Sequence, residues 1–413
     1  MNMPLLLVLG AAFGGSCYAQ SPTPLSQLLA EAFQENPDLK AGEHTWRAAT
    51  HMRDQVTALP DPQFTVQEFS VGSPRPFAGF NASSFAYISV GALQELPYPG
   101  KRNLKGQAAD AAANVDHAQI GVLRASLREQ MTTAYLRLAY LQQTLALLES
   151  SRTTLSRVIE SEMTRYSSGQ GSQTDVLKAQ LERTKLVREI TMHHEEMSQL
   201  EAELKQLLHR PQESDDIVAE DIASTTLRPA AAELLDLVRK QNPEIRMEDS
   251  SVTKQDAELR SAERQGKPDF SIGYTYERTG TDFPAYYMLT FGMVLPRRSR
   301  VRAEVAEAAE SLAAATEHLD AARQQQLADT QKHYAMATAT AELLTQYRDG
   351  LVPQADAVFH AGLAAYESNK QSLTSVLTAW NEVLELKRGY EQTLLDHELA
   401  VAHLETLTGA ALR

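Results

Sequence analysis

Apolar side chains at every second position predict four β-strands, arranged as two pairs. The alternation is clear from Phe270 to Tyr276 and again from Tyr287 to Leu295. This period of two is that of a strand, because successive side chains of a strand point to opposite faces. The predicted strands are residues 63–71 and 85–96 in the first pair, and residues 269–278 and 286–295 in the second.

Apolar residues that recur every three or four positions predict a long helix after the first strand pair. The stripe runs from Leu123 to Ile159, which is typical of a coiled coil. A single helix from Asn103 to Glu162 would be about 90 Å long at the usual rise per residue. The sequence SSGQGS, residues 167–172, then predicts a turn into a return helix.

The second half of the chain shows the same order of elements. A long alanine-rich helix is predicted from Arg302 to about Tyr366, followed by a return helix to about Leu407. A helix of moderate length is predicted before each strand pair, at Pro37–Ala58 and at Pro243–Gln265. The two long helical hairpins therefore cover residues 103–209 and 302–407.

Four collinear matches show that the two halves are copies of one unit. ENPDLK at 35–40 matches QNPEIR at 241–246, and RYSSGQGSQTDVL at 165–177 matches AYESNKQSLTSVL at 365–377. Matching positions are 206 residues apart in the first match and 200 residues apart in the last. The matches therefore follow the same order in both halves at a nearly constant spacing. We predict a first repeat at 20–209, an acidic, proline-flanked linker at 210–229 and a second repeat at 230–413.

Proline and positive charge lie where each strand pair meets its long helix. The first junction reads Pro97-Tyr98-Pro99-Gly100 and is followed by a basic pair; the second has one proline and then arginines. Proline cannot donate a hydrogen bond to a strand ladder, so it ends the strand there. The cations predict a basic collar that meets lipid headgroups. The junction residues are Pro97, Pro99, Gly100, Lys101, Arg102, Pro296, Arg297 and Arg298, and Lys105, Arg300 and Arg302 extend the collar.

The predicted strands are long enough to cross a bilayer when tilted. In lipid, strands with free edges are prohibitive, so membrane strands must close into a barrel. One chain offers four strands, whereas membrane barrels begin at about eight. If the strands span a membrane, the chain must oligomerise, and two or three copies would both satisfy this requirement.

Composition excludes one class of function and indicates export from the cytoplasm. The chain has 39 Lys and Arg against 53 Asp and Glu, a net charge of −14, which is too acidic for a nucleic-acid-binding protein. The apolar run Leu5–Gly15 predicts a signal peptide at residues 1–19. Cys17, the only cysteine, is then either removed with the signal peptide or carries a lipid. No later stretch is apolar enough for a transmembrane helix.

No catalytic, metal or cofactor motif emerges from the sequence. His193-His194-Glu195-Glu196 resembles part of a zinc-binding helix, but no second histidine follows four residues after either one. A solvated helix face explains these residues better. The turn SSGQGS lacks the lysine and the spacing of a phosphate-binding loop. We therefore expect no enzyme activity and no cofactor.

The chain resembles the TolC-like outer membrane efflux factors of Gram-negative bacteria. The resemblance rests on the Asn-Pro that opens each repeat, on LPYPGKR at the first junction and on RYSSGQGSQTDVLKAQLERTK at 165–185. It implies a mainly helical protein with a small membrane β-barrel portion. In that family three copies build a twelve-stranded barrel in the outer membrane and a helical coiled-coil tunnel in the periplasm.

The resemblance also implies partners: a homotrimer, outer-membrane lipid, a periplasmic adaptor (a membrane fusion protein) and an inner-membrane pump. The tips of the helical hairpins would dock the adaptor. The positions that match the family's tips are Tyr166, Gly169, Ser172, Asp175, Val176 and Leu177 in the first hairpin and Tyr366, Ser372, Val376 and Leu377 in the second. An acidic ring that narrows the tip in many members falls here on Ser375 and Thr378, so we expect no such ring.

Two alternatives to a general efflux channel stay open at this point. The short chain without a long C-terminal tail is similar to the heavy-metal efflux branch of the same family. A soluble periplasmic coiled-coil scaffold or adaptor belongs to a different class. An adaptor would show one helical hairpin flanked by glycine-rich β modules, whereas this sequence shows two collinear repeats.

Overall fold

The computed structural model describes residues 22–72, 75–77, 85–280 and 284–412. The predicted signal peptide and Cys17 lie outside these residues. The first repeat forms α1 (Leu25–Glu35), α2 (Pro37–Thr57), β1 (Gln63–Phe69), β2 (Tyr87–Leu96), α3 (Lys101–Ser167) and α4 (Gln173–Leu207). The second forms α5 (Ala231–Gln241), α6 (Pro243–Arg264), β3 (Asp269–Thr279), β4 (Tyr286–Val294), α7 (Arg298–Gln346), a π-helical turn (Tyr347–Leu351), α8 (Val352–Glu367) and α9 (Leu373–Thr408).

The Asn-Pro motif that opens each repeat is a helix start. Asn36 Oδ1 accepts hydrogen bonds from the backbone of Asp38 and Leu39, at 2.9 and 3.3 Å. Asn242 Oδ1 does the same for Glu244 and Ile245, at 3.0 and 3.1 Å. The proline that follows takes the first helical position, where the missing N–H has no intrahelical partner to lose.

A short helix precedes each of these motifs, which the sequence analysis did not predict. α1 and α5 have 11 residues each and end where the Asn-Pro begins. The signal was present in the first copy, because Leu25, Leu28 and Ala32 recur at helical spacing. The prediction that each repeat begins with a single helix at its proline was wrong.

The four strands form one antiparallel sheet in the order β1-β2-β3-β4. Each strand end lies within two residues of its predicted position. The central pairing of β2 with β3 joins the two repeats, with Val90 opposite Tyr276. Among the described residues, β1 and β4 each have a neighbouring strand on one side only.

The long helices differ between the repeats. α3 is one uninterrupted helix of 67 residues. A single long helix was predicted here, and the observed helix extends beyond both predicted ends. The single helix expected from Arg302 to Tyr366 was wrong, because the π-helical turn interrupts it at Tyr347–Leu351.

Pro353 lies just after the π-helical turn, in the first turn of α8. Proline has no backbone N–H, so it removes one hydrogen bond from the helical ladder at this point. A π turn wraps one more residue into a helical turn than an α turn does. Beyond this turn, Phe359 and Tyr366 of α8 pack in the core of the hairpin unit.

The chain divides into two compact units, each with segments from both repeats. The hairpin unit contains the described parts of Met1–Glu31, Ala134–Ala223 and Tyr347–Leu395; the strand unit contains those of Ala32–Thr133, Ser224–Gln346 and Asp396–Arg413. The core of the hairpin unit includes Leu148, Leu155, Leu186, Leu373 and Trp380. The strand unit has smaller clusters, among them one built on Leu234, Ala337, Ala400, Val401 and Leu404.

None of the described helices combines the length and the apolar character that a membrane-spanning helix requires.

Candidate functional site

One face of the sheet is apolar and exposed across all four strands. The register aligns Val66 with Val90, Val90 with Tyr276, and Tyr276 with Tyr287. Residues directly opposite each other share a face, so the apolar positions of the four strands form a continuous surface. We call it the apolar face; its residues are Phe64, Val66, Val90, Ala92, Leu96, Phe270, Ile272, Tyr274, Tyr276, Tyr287, Leu289, Phe291 and Met293.

The exposure of this face is large for apolar side chains. Phe64 is 77% exposed and Phe291 is 76% exposed, on the two edge strands. A monomeric soluble protein seldom leaves so extended an apolar patch in water. The face therefore indicates a surface that meets lipid or protein in the assembled state.

The other face of the sheet is mostly small or polar. Its members include Thr65, Ser89, Gly91, Ser271, Gly273, Thr275, Thr290 and Gly292. A Cβ at Gly91 would lie 2.8 Å from Thr65 Oγ1 and 3.0 Å from Thr275 Oγ1, so the close approach of these chains requires glycine. A polar face behind an apolar face is the alternation expected of strands between lipid and water.

The first junction is a tight turn with the residue types that its geometry demands. The backbone N–H of Lys101 donates to Tyr98 O at 3.1 Å, and Gly100 has a φ of +93°. Proline at the second position and a positive-φ glycine at the third are the signature of a type II turn. α3 begins at the next residue, so the turn converts strand to helix without a connecting loop.

Side chains of the second repeat hold this turn in place. Arg264 Nη2 donates to Pro99 O at 2.9 Å, and its guanidinium lies 5.1 Å from the ring centre of Tyr98. Asp269 Oδ1 accepts from the backbone N–H of Tyr98 at 2.8 Å. The junction of the first repeat is therefore shaped by residues that follow it by about 165 positions.

The predicted basic collar is wrong for Lys101 and Arg102, whereas Lys105 is exposed. Lys101 is buried, with 3% of its surface exposed, and its ammonium binds Asp269 Oδ2 at 2.8 Å. Arg102 Nε donates to Thr57 O at 2.6 Å. In the second repeat Arg297 and Arg298 follow Pro296 directly as exposed side chains, so that junction presents more free cations of the kind predicted.

The two hairpin tips are built alike. Gly169 has a φ of +77°, and at the matching position of the second hairpin Asn369 has a φ of +58°. Each lies directly after a helix end, where a left-handed residue lets the next backbone N–H reach back to the last turn. Ser172 Oγ then accepts from Thr174 N at 3.2 Å, and Ser372 Oγ from Ser375 N at 3.4 Å.

Matching residues at the two tips differ in burial. Tyr166 and Leu177 are 48% and 57% exposed, whereas Tyr366 and Leu377 are 5% and 6% exposed. Val376 is 1% exposed and packs with them in the core of the hairpin unit. Tyr366, Val376 and Leu377 were predicted to dock the adaptor, but their buried side chains cannot contact a partner in this conformation. The same holds for Val176, which is also buried.

Arg165 links the two hairpins at the tip. Its Nη1 donates to Tyr366 O at 3.4 Å, its Nη2 bonds Asn369 Oδ1, and its guanidinium lies 4.7 Å from the Tyr366 ring centre. Glu162, 3.9 Å from Arg165 Nε, is buried. Burial raises the pKa of this carboxyl, and the positive charge of Arg165 counters the rise. This cluster holds the second hairpin against the first, and it was not predictable because its members on the two hairpins lie about 200 positions apart in the chain.

Within the described residues, no group of three or more His, Cys, Asp or Glu side chains is arranged to hold a metal ion. His193 and His194 lie on α4, with His193 Nδ1 3.5 Å from Glu196. Asp175 lies half-buried in the first turn of α4. At the second tip, Thr378 is exposed and bonds Thr374 O of its own helix.

Comparison with known proteins gives a family match for part of the chain. The sequence profile named outer membrane efflux protein matches residues 28–208, which span most of the first repeat. No curated protein sequence matches the chain. The family match confirms the resemblance found in the sequence, and the expected location in the outer membrane agrees with it.

Solved structures with the same fold cover nearly the whole chain. The outer membrane protein VceC of Vibrio cholerae is 16% identical, with 94% of this chain and 97% of that chain covered and a TM-score of 0.78. The outer membrane channel CmeC of Campylobacter jejuni is 11% identical, with 99% and 93% covered and a TM-score of 0.78. CusC is 13% identical, with 96% of each chain covered and a TM-score of 0.82. These structures confirm the predicted fold class of TolC-like channels.

Proposed function

Since the outer membrane efflux protein family model matches residues 28–208, we propose that the chain is the outer-membrane channel of a tripartite efflux system. Substrate enters from an inner-membrane pump through a periplasmic adaptor and leaves the cell through this channel. The channel conducts passively, without catalysis or a cofactor, and the pump supplies the energy.

The apolar face is the observation that carries the proposal. Four strands present one continuous apolar surface, and the opposite surface is mostly small or polar. Two edges, β1 and β4, are left for pairing with further strands. Three copies joined edge to edge give twelve strands, enough for a closed barrel with lipid outside and water inside.

The hairpin tips support the docking of an adaptor. Tyr166 and Leu177 expose their side chains beside the first turn, and this surface is our proposed contact. Opening of the tip is a shift of the second hairpin between two packings. An adaptor or pump drives the shift only if it binds one packing more tightly than the other. Arg165 stabilises the observed packing, because it binds both hairpins.

A pair of neighbouring substitutions on β4 tests the membrane assignment. Phe291 lies on the apolar face, and Thr290 lies on the opposite face. An arginine on the lipid side near the bilayer centre destabilises a barrel by about 2–4 kcal/mol, whereas lumen substitutions mainly tune conduction. We expect Phe291→Arg to abolish assembled trimers in the outer membrane fraction, and Thr290→Arg to leave them intact with altered conductance in planar bilayers.

The same experiment separates the channel from a soluble scaffold. The native protein should require detergent for purification and should have the mass of three chains by light scattering. A monomer that stays dissolved without detergent, and that tolerates Phe291→Arg as well as Thr290→Arg, would rule out the channel.

A further inference from the structure

Three arginines at the start of α7 have no acidic partner within the described chain. Arg297, Arg298 and Arg302 are exposed. Their neighbour Arg300 differs, because its Nη1 lies 3.5 Å from Glu304 Oε1 on the next turn of the same helix. The three side chains therefore present free positive charge on one short segment.

This placement does not stabilise the protein by itself. α7 begins at Arg298, and its first turn has no acidic residue. The N-terminal end of a helix carries partial positive charge, so cations there are unfavourable. An external anion would remove the repulsion, and three guanidinium groups are well suited to phosphate oxygens because each can form paired hydrogen bonds.

The two cations that directly follow the first junction are engaged within the chain. Lys101 is neutralised by Asp269, and Arg102 is bonded to a backbone carbonyl. Lys105 is exposed, so among the described residues the first junction offers one free cation of the collar and the β4–α7 junction offers three. The contrast indicates that the arginines serve a contact outside the chain.

The position of the arginines identifies that contact. Leu295 is 68% exposed and continues the apolar spacing of β4, and Arg297 follows it after one proline. An exposed apolar strand that runs into a cationic segment matches the boundary between acyl chains and headgroups, where long basic side chains extend to phosphates. The apolar face and the arginines thus form one continuous surface.

We propose that Arg297, Arg298 and Arg302 bind the phosphate groups of phospholipids in the membrane leaflet that surrounds the helix end of the strands. This inference rests on the proposed function, because it requires the strands to lie in a bilayer. The arginines anchor the depth of the barrel, and each protomer contributes one such surface.

The test compares two lipids that share acyl chains and differ in phosphate. The full-length protein in detergent is titrated with dioleoylphosphatidylglycerol, or with a galactolipid that has the same acyl chains and no phosphate. Binding is measured by the shift of the thermal unfolding midpoint. A third arm adds inorganic phosphate without lipid. The variants are the triple Arg→Gln change at 297, 298 and 302, the triple Arg→Lys change, and Arg239→Gln as a matched control on α5, where Arg239 pairs with Asp236.

We expect the native protein to prefer the phospholipid. At about 1 kcal/mol per cation near an anionic surface, the triple Gln variant should bind the phospholipid about a hundredfold more weakly. The triple Lys variant should keep most of the preference, and the Arg239→Gln variant should keep all of it. Unfolding midpoints without lipid verify that each variant is folded.

Each contrary result has a distinct meaning. A triple Gln variant with undiminished preference would overturn the inference, and so would a shift reproduced by inorganic phosphate alone. If the triple Gln variant dissociates to monomers, the arginines are subunit contacts and the lipid assignment is wrong. A detergent-requiring trimer without lipid preference overturns this inference only, whereas a soluble monomer overturns the proposed function as well.

Discussion

The ammonium group of Lys101 lies 2.8 Å from the carboxylate of Asp269, which ties the first residue of α3 to the first residue of β3. Only 4% of the lysine side chain is exposed, against 37% of the aspartate side chain. The pair thus couples the two repeats at the point where sheet changes to helix.

The unequal burial of this pair predicts unequal effects of its two substitutions. Asp269→Ala leaves a buried ammonium without its partner, which destabilises by about 3 kcal/mol. Lys101→Met removes the buried charge, fills similar space, and leaves an aspartate that water can reach and that Tyr98 N still contacts. Its thermal unfolding midpoint should therefore fall much less. Equal midpoints for the two variants would show that the ion pair does not determine the stability of the junction.

Asn242 performs two tasks, and two substitutions separate them. Its Oδ1 caps α6, and its Nδ2 donates to Gln326 Oε1 at 3.2 Å and to Leu407 O at 3.0 Å. Asn242→Ala should lose about 2–3 kcal/mol, from the cap and from buried acceptors left unpaired. Asn242→Ser retains a capping oxygen and should recover about 1 kcal/mol of that loss. If the two variants have the same denaturation midpoint, capping of α6 by Asn242 does not contribute to stability.

Local patterns in the sequence were sufficient to predict the strands and the long helices. Alternation from Phe270 to Tyr276 predicted β3 to within one residue, because every second side chain of the strand is apolar over this stretch. The tip turns were also predictable, since SSGQGS combines a left-handed glycine with a serine cap. These features depend on neighbours within a few residues.

Contacts between segments that are distant in the sequence could not be predicted from such local patterns. Lys101 looked like a surface cation, and its partner Asp269 lies 168 residues further along the chain. The repeat made Leu177 and Leu377 look equivalent, but a repeated sequence does not say which copy packs against the other. The π turn was not predicted from the spacing of residues along the second long helix.

A cluster of two histidines and a glutamate predicts that acid weakens the strand unit. Burial, with the charge of His403 and Lys332 added to it, lowers the pKa of His333 from its ordinary value of 6.5, while Asp329 and Glu129 oppose the shift. The unfolded chain takes up this proton more readily than the folded chain. Stability should thus be full above pH 6.5 and should fall as the pH drops below it.

A second loss is expected at lower pH from Glu129. The hydrogen bond with His403, 2.8 Å long, lowers the pKa of the Glu129 carboxyl from its ordinary value of 4.5. The stabilisation is present above pH 4.5 and is lost as the pH falls through the lowered value. Unfolding midpoints between pH 8 and pH 3 measure both steps. His333→Gln should reduce only the loss of stability below pH 6.5. His44→Gln, a control on the exposed face of α2, should leave both losses of stability unchanged.

Leu177 and Leu377 give a matched test of the docking surface. Leu177→Asp changes a side chain that is 57% exposed and should leave the unfolding midpoint nearly unchanged. Leu377→Asp places a charge in the core of the hairpin unit and should destabilise by several kcal/mol. A photo-crosslinker at position 177 should capture adaptor peptides in cells, and one at position 377 should not. Capture at neither position, with the efflux system active, would contradict the assignment of the first tip.

Deletion of one residue tests the origin of the π turn. Removing Gly350 should convert the turn to regular helix, because a π turn holds one residue more than an α turn. The flanking helices keep their faces, so Phe359 and Tyr366 stay in the tip core and the unfolding midpoint changes little. Ser150 is the matched control, since it occupies the corresponding position of α3, which has no spare residue.

Removing Ser150 should rotate the end of α3 by about 100° relative to its start. Leu155 and Ile159 would then leave the core of the hairpin unit, and the unfolding midpoint should fall strongly. Limited proteolysis of the two deletion variants gives a second measure, because an unpacked hairpin is cut near its tip. If both deletions are equally damaging, the π turn does not hold a residue that the helix can lose.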